Sequence, residues 1–124
     1  MKGVVFTPDE KMYVQDFGSP LYESVGKAVG GWIEIVHPRR LPSPYCMIVN
    51  EEGLLLDLPT NPLGCVLYQT MVHGCPIVGN IVVMKEGYVD GEPDLIGLTE
   101  EEIAKIKELA IKISDGSIVE VKTE

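Results

Sequence analysis

Thr99-Glu100-Glu101-Glu102 opens the one segment whose local structure is specified almost residue by residue. The Thr99 hydroxyl can accept from the open amides of a helix start, and the Glu102 carboxylate, three residues on, can accept from the Thr99 amide. Ile103, Ile106, Ala110 and Ile113 then share a face, with Lys105, Lys107, Glu108 and Lys112 largely elsewhere, and Asp115-Gly116 ends the helix. Elsewhere, Gly and Pro cut the apolar residues into runs too short for a helix of that length.

Those runs read mainly as strands. Val4 to Phe6 and Met12 to Val14 come first, each closed by Pro, Asp or Gly. Ser19-Pro20 reads as a cap followed by Pro at the first helical position, and Leu21, Val25 and Ala28-Val29 give a helix over about 20–29 that Gly30-Gly31 ends. Trp32 to Val36 is a strand, with Trp32 assigned to the core. Arg39 to Pro44 is a loop stiffened by proline, and Tyr45 to Val49 a buried strand. Asn50-Glu51-Glu52-Gly53 has hairpin-turn chemistry, with Gly53 at a positive φ and Leu54 to Leu58 as the returning strand. The segment Cys65 to Cys75 is compatible with strand or short helix. Ile77 to Met84 is strand-like, with Gly79 marking a bulge or a close backbone approach. Tyr88 to Ile96 reads as a polar surface excursion, and Ile118 to Val121 as a last edge strand. Hairpins with two helices define a single α+β domain built on a mainly antiparallel, curved sheet.

The 124 residues are the length of one domain, 45% hydrophobic and 23% charged, an ordinary balance for a folded chain. The formal net charge of −9 opposes a DNA or RNA backbone and an anionic membrane surface, while leaving room for a small anion held by a few well-placed cations. Cys46, Cys65 and Cys75 have no disulfide-framework spacing and read as free buried thiols in a reducing cytoplasm. The start of the chain lacks a signal-peptide apolar stretch, and no run reaches the ~20 apolar residues of a membrane helix.

Catalytic patterns are missing. His73-Gly74-Cys75 and Cys65 are ligand-type residues, but no C-x-x-C and no paired-histidine spacing accompanies them, so neither a metal nor a cofactor is expected. There is no phosphate-binding Gly-rich loop, and Glu100 to Glu102 suit the helix dipole better than acid–base work. Recognition chemistry remains. Arg39 and Arg40, adjacent on a rigid loop, form either a phosphate clamp or a solvated pair. Asn61, between Thr60 and Pro62, either reads a purine edge or shapes its own turn. Tyr68, with Gln69, Thr70 and Met71, offers a stacking surface or a half-buried packing segment. Asn80 interrupts a buried run and needs a partner in backbone, neighbouring chain or ligand.

Four segments in series carry a resemblance: 29–36 (VGGWIEIV), 50–53 (NEEG) running into 58–61 (LPTN), 77–80 (IVGN) and 97–103 (GLTEEEI). Over about Gly3 to Ile113 they look like a small domain common in phage and mobile-element genes, and within it the chain resembles the first class of phage anti-Thoeris proteins. That resemblance implies a sponge: a cytoplasmic homo-oligomer built on dimers that holds a cyclic ADP-ribose isomer, glycocyclic ADP-ribose, near subunit interfaces without degrading it. It also implies that cyclic oligonucleotides are possible further ligands. Asn61 and Asn80 lie in the matching motifs. Arg39, Arg40, Tyr68 and Met71 come from the residue chemistry alone.

The expectation is therefore a stoichiometric ligand-binding protein with no catalytic residues. Two competing readings stand beside it: an acidic protein–protein inhibitor of a host defence enzyme, and a small nucleotide hydrolase.

Overall fold

The computed structural model describes residues 1–70 and 74–122. In chain order the elements are β1 (Lys2–Phe6), β2 (Lys11–Asp16), α1 (Leu21–Val29), β3 (Ile33–Val36), β4 (Tyr45–Asn50), α2 (Pro62–Tyr68), β5 (Ile81–Val89), β6 (Glu92–Ile96), α3 (Glu100–Ile113) and β7 (Val119–Glu120). The strands form one open sheet in the order β3-β4-β5-β1-β2-β7, antiparallel except where β7 runs parallel to β2. The class is α+β, as the punctuated sequence implies.

β5 organises the sheet. Lys85 pairs with Tyr45 of β4 on one edge and with Ile96 of β6 on the other. The first half of β5 pairs with β1 and its second half with β6, so β1 and β6 lie end to end along the same edge. Helices cover both faces. Val25 and Val29 of α1 pack with Val5, Cys46, Ile48, Val82 and Met84 on one side. Leu63 and Leu67 of α2 and Ile103, Ile106 and Ala110 of α3 pack with Val4, Phe6, Met47, Ile81 and Val83 on the other. Both sides of β1, β4 and the first four residues of β5 are therefore buried, which is why they read as unbroken apolar runs rather than as alternation.

The capping box forms as its spacing requires: Glu102 N–H donates to Thr99 Oγ1 at 3.2 Å and Thr99 N–H to Glu102 Oε1 at 2.9 Å. Lys85 Nζ holds the same carboxylate at 2.8 and 3.1 Å. At α1 the first helical residue is Leu21, the N-cap position is Pro20, and no side chain caps it, so the cap expected of Ser19 is not made.

Several expectations are corrected. Leu54 to Leu58 is not a strand; a compact turn spans 51–57, with Asp57 rather than Gly53 at positive φ. β4 already has β3 on one edge and β5 on the other, so a returning strand after Asn50 has no edge to join. Tyr88 to Ile96 is not an excursion but a hairpin. Asp90 and Gly91 both have positive φ, 52° and 78°, the geometry a two-residue hairpin turn needs. The ambiguous Cys65 segment begins inside α2, adding a third helix among the described residues. Of the three thiols only Cys46 is buried; Cys65 is half-buried and Cys75 exposed.

Candidate functional site

A concavity is built where α1 ends. Gly30 N–H and Gly31 N–H both donate to the Gly26 carbonyl, at 2.8 and 2.9 Å. This folds the chain back so tightly that a Cβ on Gly26 would lie 2.9 Å from the Gly31 carbonyl oxygen. Gly30 has φ 88°, and a Cβ on Gly31 would meet the Asn50 amide at 3.1 Å. The glycines at 26, 30 and 31 thus have separate steric reasons, and together they make a floor of bare backbone. Two asparagine amides finish the helix from below. Asn80 Nδ2 donates to the Ala28 carbonyl and Asn50 Nδ2 to the Val29 carbonyl, both at 3.1 Å. The negative end of α1 is therefore neutralised from within the chain.

Above this floor the groove has a volume of about 690 Å³. Trp32 forms one wall at 75% exposure and Tyr22 lines the groove at 49%, its hydroxyl donating to Asp94 Oδ1 at 3.3 Å. Trp32 is not core, contrary to the sequence expectation. It directly precedes β3, and the buried positions on this face are filled by Val25, Val29 and Ile48, with Ile33 and Ile35 packed against them. Glu23, Lys27 and Glu51 supply the groove's charges. The lining offers aromatic surface, approachable backbone and one cation; it holds no Cys, His, Ser or Thr. Its chemistry is stacking, burial and ion pairing.

The residues singled out in the sequence do not converge in one chain. Arg39 and Arg40 are exposed in the turn after β3, at the end of that strand away from Trp32. Pro38 and Leu41 are buried on either side of them, and Leu41 N–H donates to the Pro38 carbonyl at 3.1 Å, so the turn is anchored while both guanidinium groups are exposed. Asn61 is fully buried; its Oδ1 accepts from Gly64 N–H at 3.0 Å, and its Nδ2 donates to the Phe6 and Gly79 carbonyls at 3.0 and 2.8 Å. That amide has its hydrogen-bonding groups engaged inside the fold and acts as a tie. Asn80 finds its partner in backbone, on α1. Tyr68 borders a separate hollow of about 140 Å³ on the α2 face, with Glu34, Val36 and Leu54. Met71 and His73 lie outside the described residues.

Trp32 and Tyr22 are the groove residues that sequence reasoning missed. The available signal was a Trp directly after a helix-ending glycine pair, where the chain has to turn before any strand can bury a side chain.

Burial pushes the Cys46 thiol up to about 12, with the Glu86 carboxylate adding to the shift. His37 Nε2 meets the Glu86 carboxylate on the surface. Among the described residues no group of three or more His, Cys, Asp or Glu could hold a metal ion. No helix among them is long and apolar enough to cross a membrane.

The chain is an α+β domain with an aromatic-walled, glycine-floored groove. Residues 1–111 match the family model described as "Domain of unknown function (DUF3846)", and the chain belongs to that family. No curated protein and no solved structure matches.

Proposed function

We propose that this protein is a stoichiometric binder of a nucleotide-type small molecule, which it holds in the α1–β3 groove without turning it over. The observation that carries the reading is the juxtaposition of Trp32 and Tyr22 over the Gly26, Gly30 and Gly31 backbone. A planar base gains stacking from the rings, and the absence of Cβ atoms lets a ribose or phosphate approach the main chain closely. Lys27 gives the groove a cation of its own.

The ligand we name is a cyclic ADP-ribose isomer, because the serial motifs resemble the anti-Thoeris sponges. In that role the protein sequesters an immune signal made by TIR-domain enzymes, and so inhibits Thoeris defence. The test is to load the purified protein with glycocyclic ADP-ribose, wash, denature, and analyse what is released. Intact ligand at about one equivalent per groove is expected. Release of nothing overturns the reading, and so does a smaller product formed beyond one equivalent, which is the hydrolase outcome.

A further inference from the structure

We infer that the hollow between the end of β3 and the β5–β6 hairpin is a seat for an arginine side chain, presented by a basic segment of a partner protein. The hollow is separate from the α1–β3 groove and does not depend on what that groove holds.

Residues two apart on a strand share a face, so the cluster packed under α1 marks one face of the sheet. Ile35, Cys46, Met84 and Leu95 belong to that cluster. One step further along their strands, on the same face, stand His37, Pro44, Glu86 and Pro93. Glu86 N–H donates to the Pro44 carbonyl at 2.8 Å, so the chain stays beside β5 there, and Tyr88 lies directly opposite Pro93. With Tyr45 these residues line a hollow of about 280 Å³. Cys46, Met84 and Leu95 are fully buried, whereas Tyr88 is 78% exposed.

The charge in this hollow is a carboxylate without a fixed counter-ion. The Glu86 side chain is only 31% exposed and meets His37 Nε2, its one side-chain partner among the described residues. An imidazole carries no permanent positive charge. Lys85, next in the chain, is held by Glu102 of α3, on the opposite face. Arg39 and Arg40 do not line the hollow. From Glu86 to Gly97 the chain carries the carboxylates of Glu86, Asp90, Glu92 and Asp94 and no Lys or Arg. Burial raises the Cys46 thiol and the Tyr22 hydroxyl, and the Glu86 carboxylate adds to both shifts, so its field reaches into the fold instead of being cancelled beside it.

This chemistry selects the occupant. Glu86 and the hairpin acids repel an anion, phosphate included. An apolar group would leave a half-withdrawn carboxylate desolvated and unpaired. A planar guanidinium can lie on a tyrosine ring while its N–H edge donates to Oε2, the carboxylate oxygen that His37 does not take. The volume falls just short of the roughly 300–1,000 Å³ of small-molecule sites, which fits one side chain better than a whole ligand. Free arginine would bring its own carboxylate toward Asp90, Glu92 and Asp94, so an arginine within a chain is favoured. Asp90 and Glu92 are exposed at the hairpin turn and suit further basic residues of the same segment.

The test is an NMR titration of the isotope-labelled full chain with N-acetyl-arginine methylamide. Saturable shifts centred on His37 and residues 86–88 are expected. Glu86→Gln and Tyr88→Ala should each weaken binding at least about fivefold with little change in the thermal melt. Should Glu86→Gln not fold, Tyr88→Ala, at an exposed position, carries the comparison. N-acetyl-citrulline methylamide, similar in shape but uncharged, should not bind. N-acetyl-lysine methylamide and free arginine should each bind at least about threefold more weakly than the arginine amide. No saturation by about 20 mM arginine amide, or shifts centred away from the hollow, overturns the seat. Citrulline binding as arginine does, or wild-type affinity in Glu86→Gln or Tyr88→Ala, overturns the pairing of ring and carboxylate. Equal binding of the lysine amide overturns the choice of guanidinium, and equal binding of free arginine overturns the partner segment.

Discussion

The side-chain amide of Asn61 donates to the main-chain carbonyl of Gly79 at 2.8 Å, and with its second proton to Phe6 at 3.0 Å. One buried side chain thus ties the start of α2 to the end of β1 and to the approach to β5. Asn61→Ala should lower unfolding free energy by roughly 3 kcal/mol, since it removes a helix cap and strands two buried acceptors. Asn61→Asp keeps the cap but sets a carboxylate against two carbonyls, and it should be no better. Urea denaturation monitored by circular dichroism reads both, and a loss below about 0.5 kcal/mol would contradict the tie.

Gly79 itself has φ 76°, and a Cβ there would lie 2.9 Å from Leu58 Cδ1. Gly79→Ala combines left-handed strain with a contact that Leu58 has to relieve. A cost of at least about 1 kcal/mol is expected. The same assay on Leu58→Ala/Gly79→Ala separates the terms: the steric part is recovered, the backbone part is not.

Trp32 is an exposed wall, not a core residue, and its replacement should separate binding from folding. Trp32→Ala should change stability by less than about 0.5 kcal/mol. It should weaken a stacked ligand by about tenfold or more, equivalent to roughly 1.4 kcal/mol. Trp32→Phe should recover part of the affinity. Calorimetry on each variant, beside its thermal melt, gives the comparison; a strongly destabilised Trp32→Ala would mean that the side chain packs.

The Lys85 hydrogen bond and ion pair hold the Glu102 carboxyl below its usual value of 4.5, and its hydrogen bonding at Thr99 adds to the shift. A carboxylate lowered by folding contributes stability above its unfolded pKa and loses it as pH falls through the lowered value. Glu102→Gln retains a capping-box side chain but removes the charge. The variant should be less stable than wild type by up to about 1 kcal/mol near pH 7. The difference should shrink as pH falls below the ordinary glutamate range. A difference that stays constant between pH 7 and pH 3 would show that the charge is irrelevant.

Thiol reactivity should follow depth. Cys75 is exposed, whereas Cys46 is buried with its thiol pushed up to about 12. A thiol reagent at pH 8 should modify Cys75 in the native protein and reach Cys46 only on unfolding. Mass spectrometry of digested, labelled protein distinguishes the sites, and fast native labelling of Cys46 would contradict its burial.

What was legible in the sequence follows the range of the forces involved. Thr99 and Glu102 satisfy each other within one helical turn, so α3 could be placed from its residues alone. The apolar runs in β1, β4 and β5 announced strands buried on both sides. Asp90-Gly91 is a hairpin turn by its chemistry, yet the polar residues around it hid the strand that follows. Leu54 to Leu58 failed for the opposite reason: it has a strand's apolar content, but only the sheet order shows that β4 has no free edge.

The candidate site was less legible, because its parts are local in neither pattern nor position. In sequence Asn61 stands in a proline-bounded turn and Asn80 interrupts an apolar run, and neither setting names its partner. The fold buries one as a three-way tie and sets the other against the end of α1; only the cap that Asn61 gives Gly64 is local, and the other bonds reach 18 to 55 residues along the chain. Trp32 lies four residues before Val36, yet nothing in that spacing says it stays in solvent.

By itself, then, the sequence determined the helix boundaries at α3, the strand-forming runs, the rigid arginine turn and the acidic balance, all set by neighbours within a few residues. Only the tertiary structure decided which edge of the sheet stays open, which glycines are forced by close approach, and that Trp32 and Tyr22 face one groove. Those outcomes depend on contacts between separate segments, some of them tens of residues apart, where packing rather than local preference selects the arrangement.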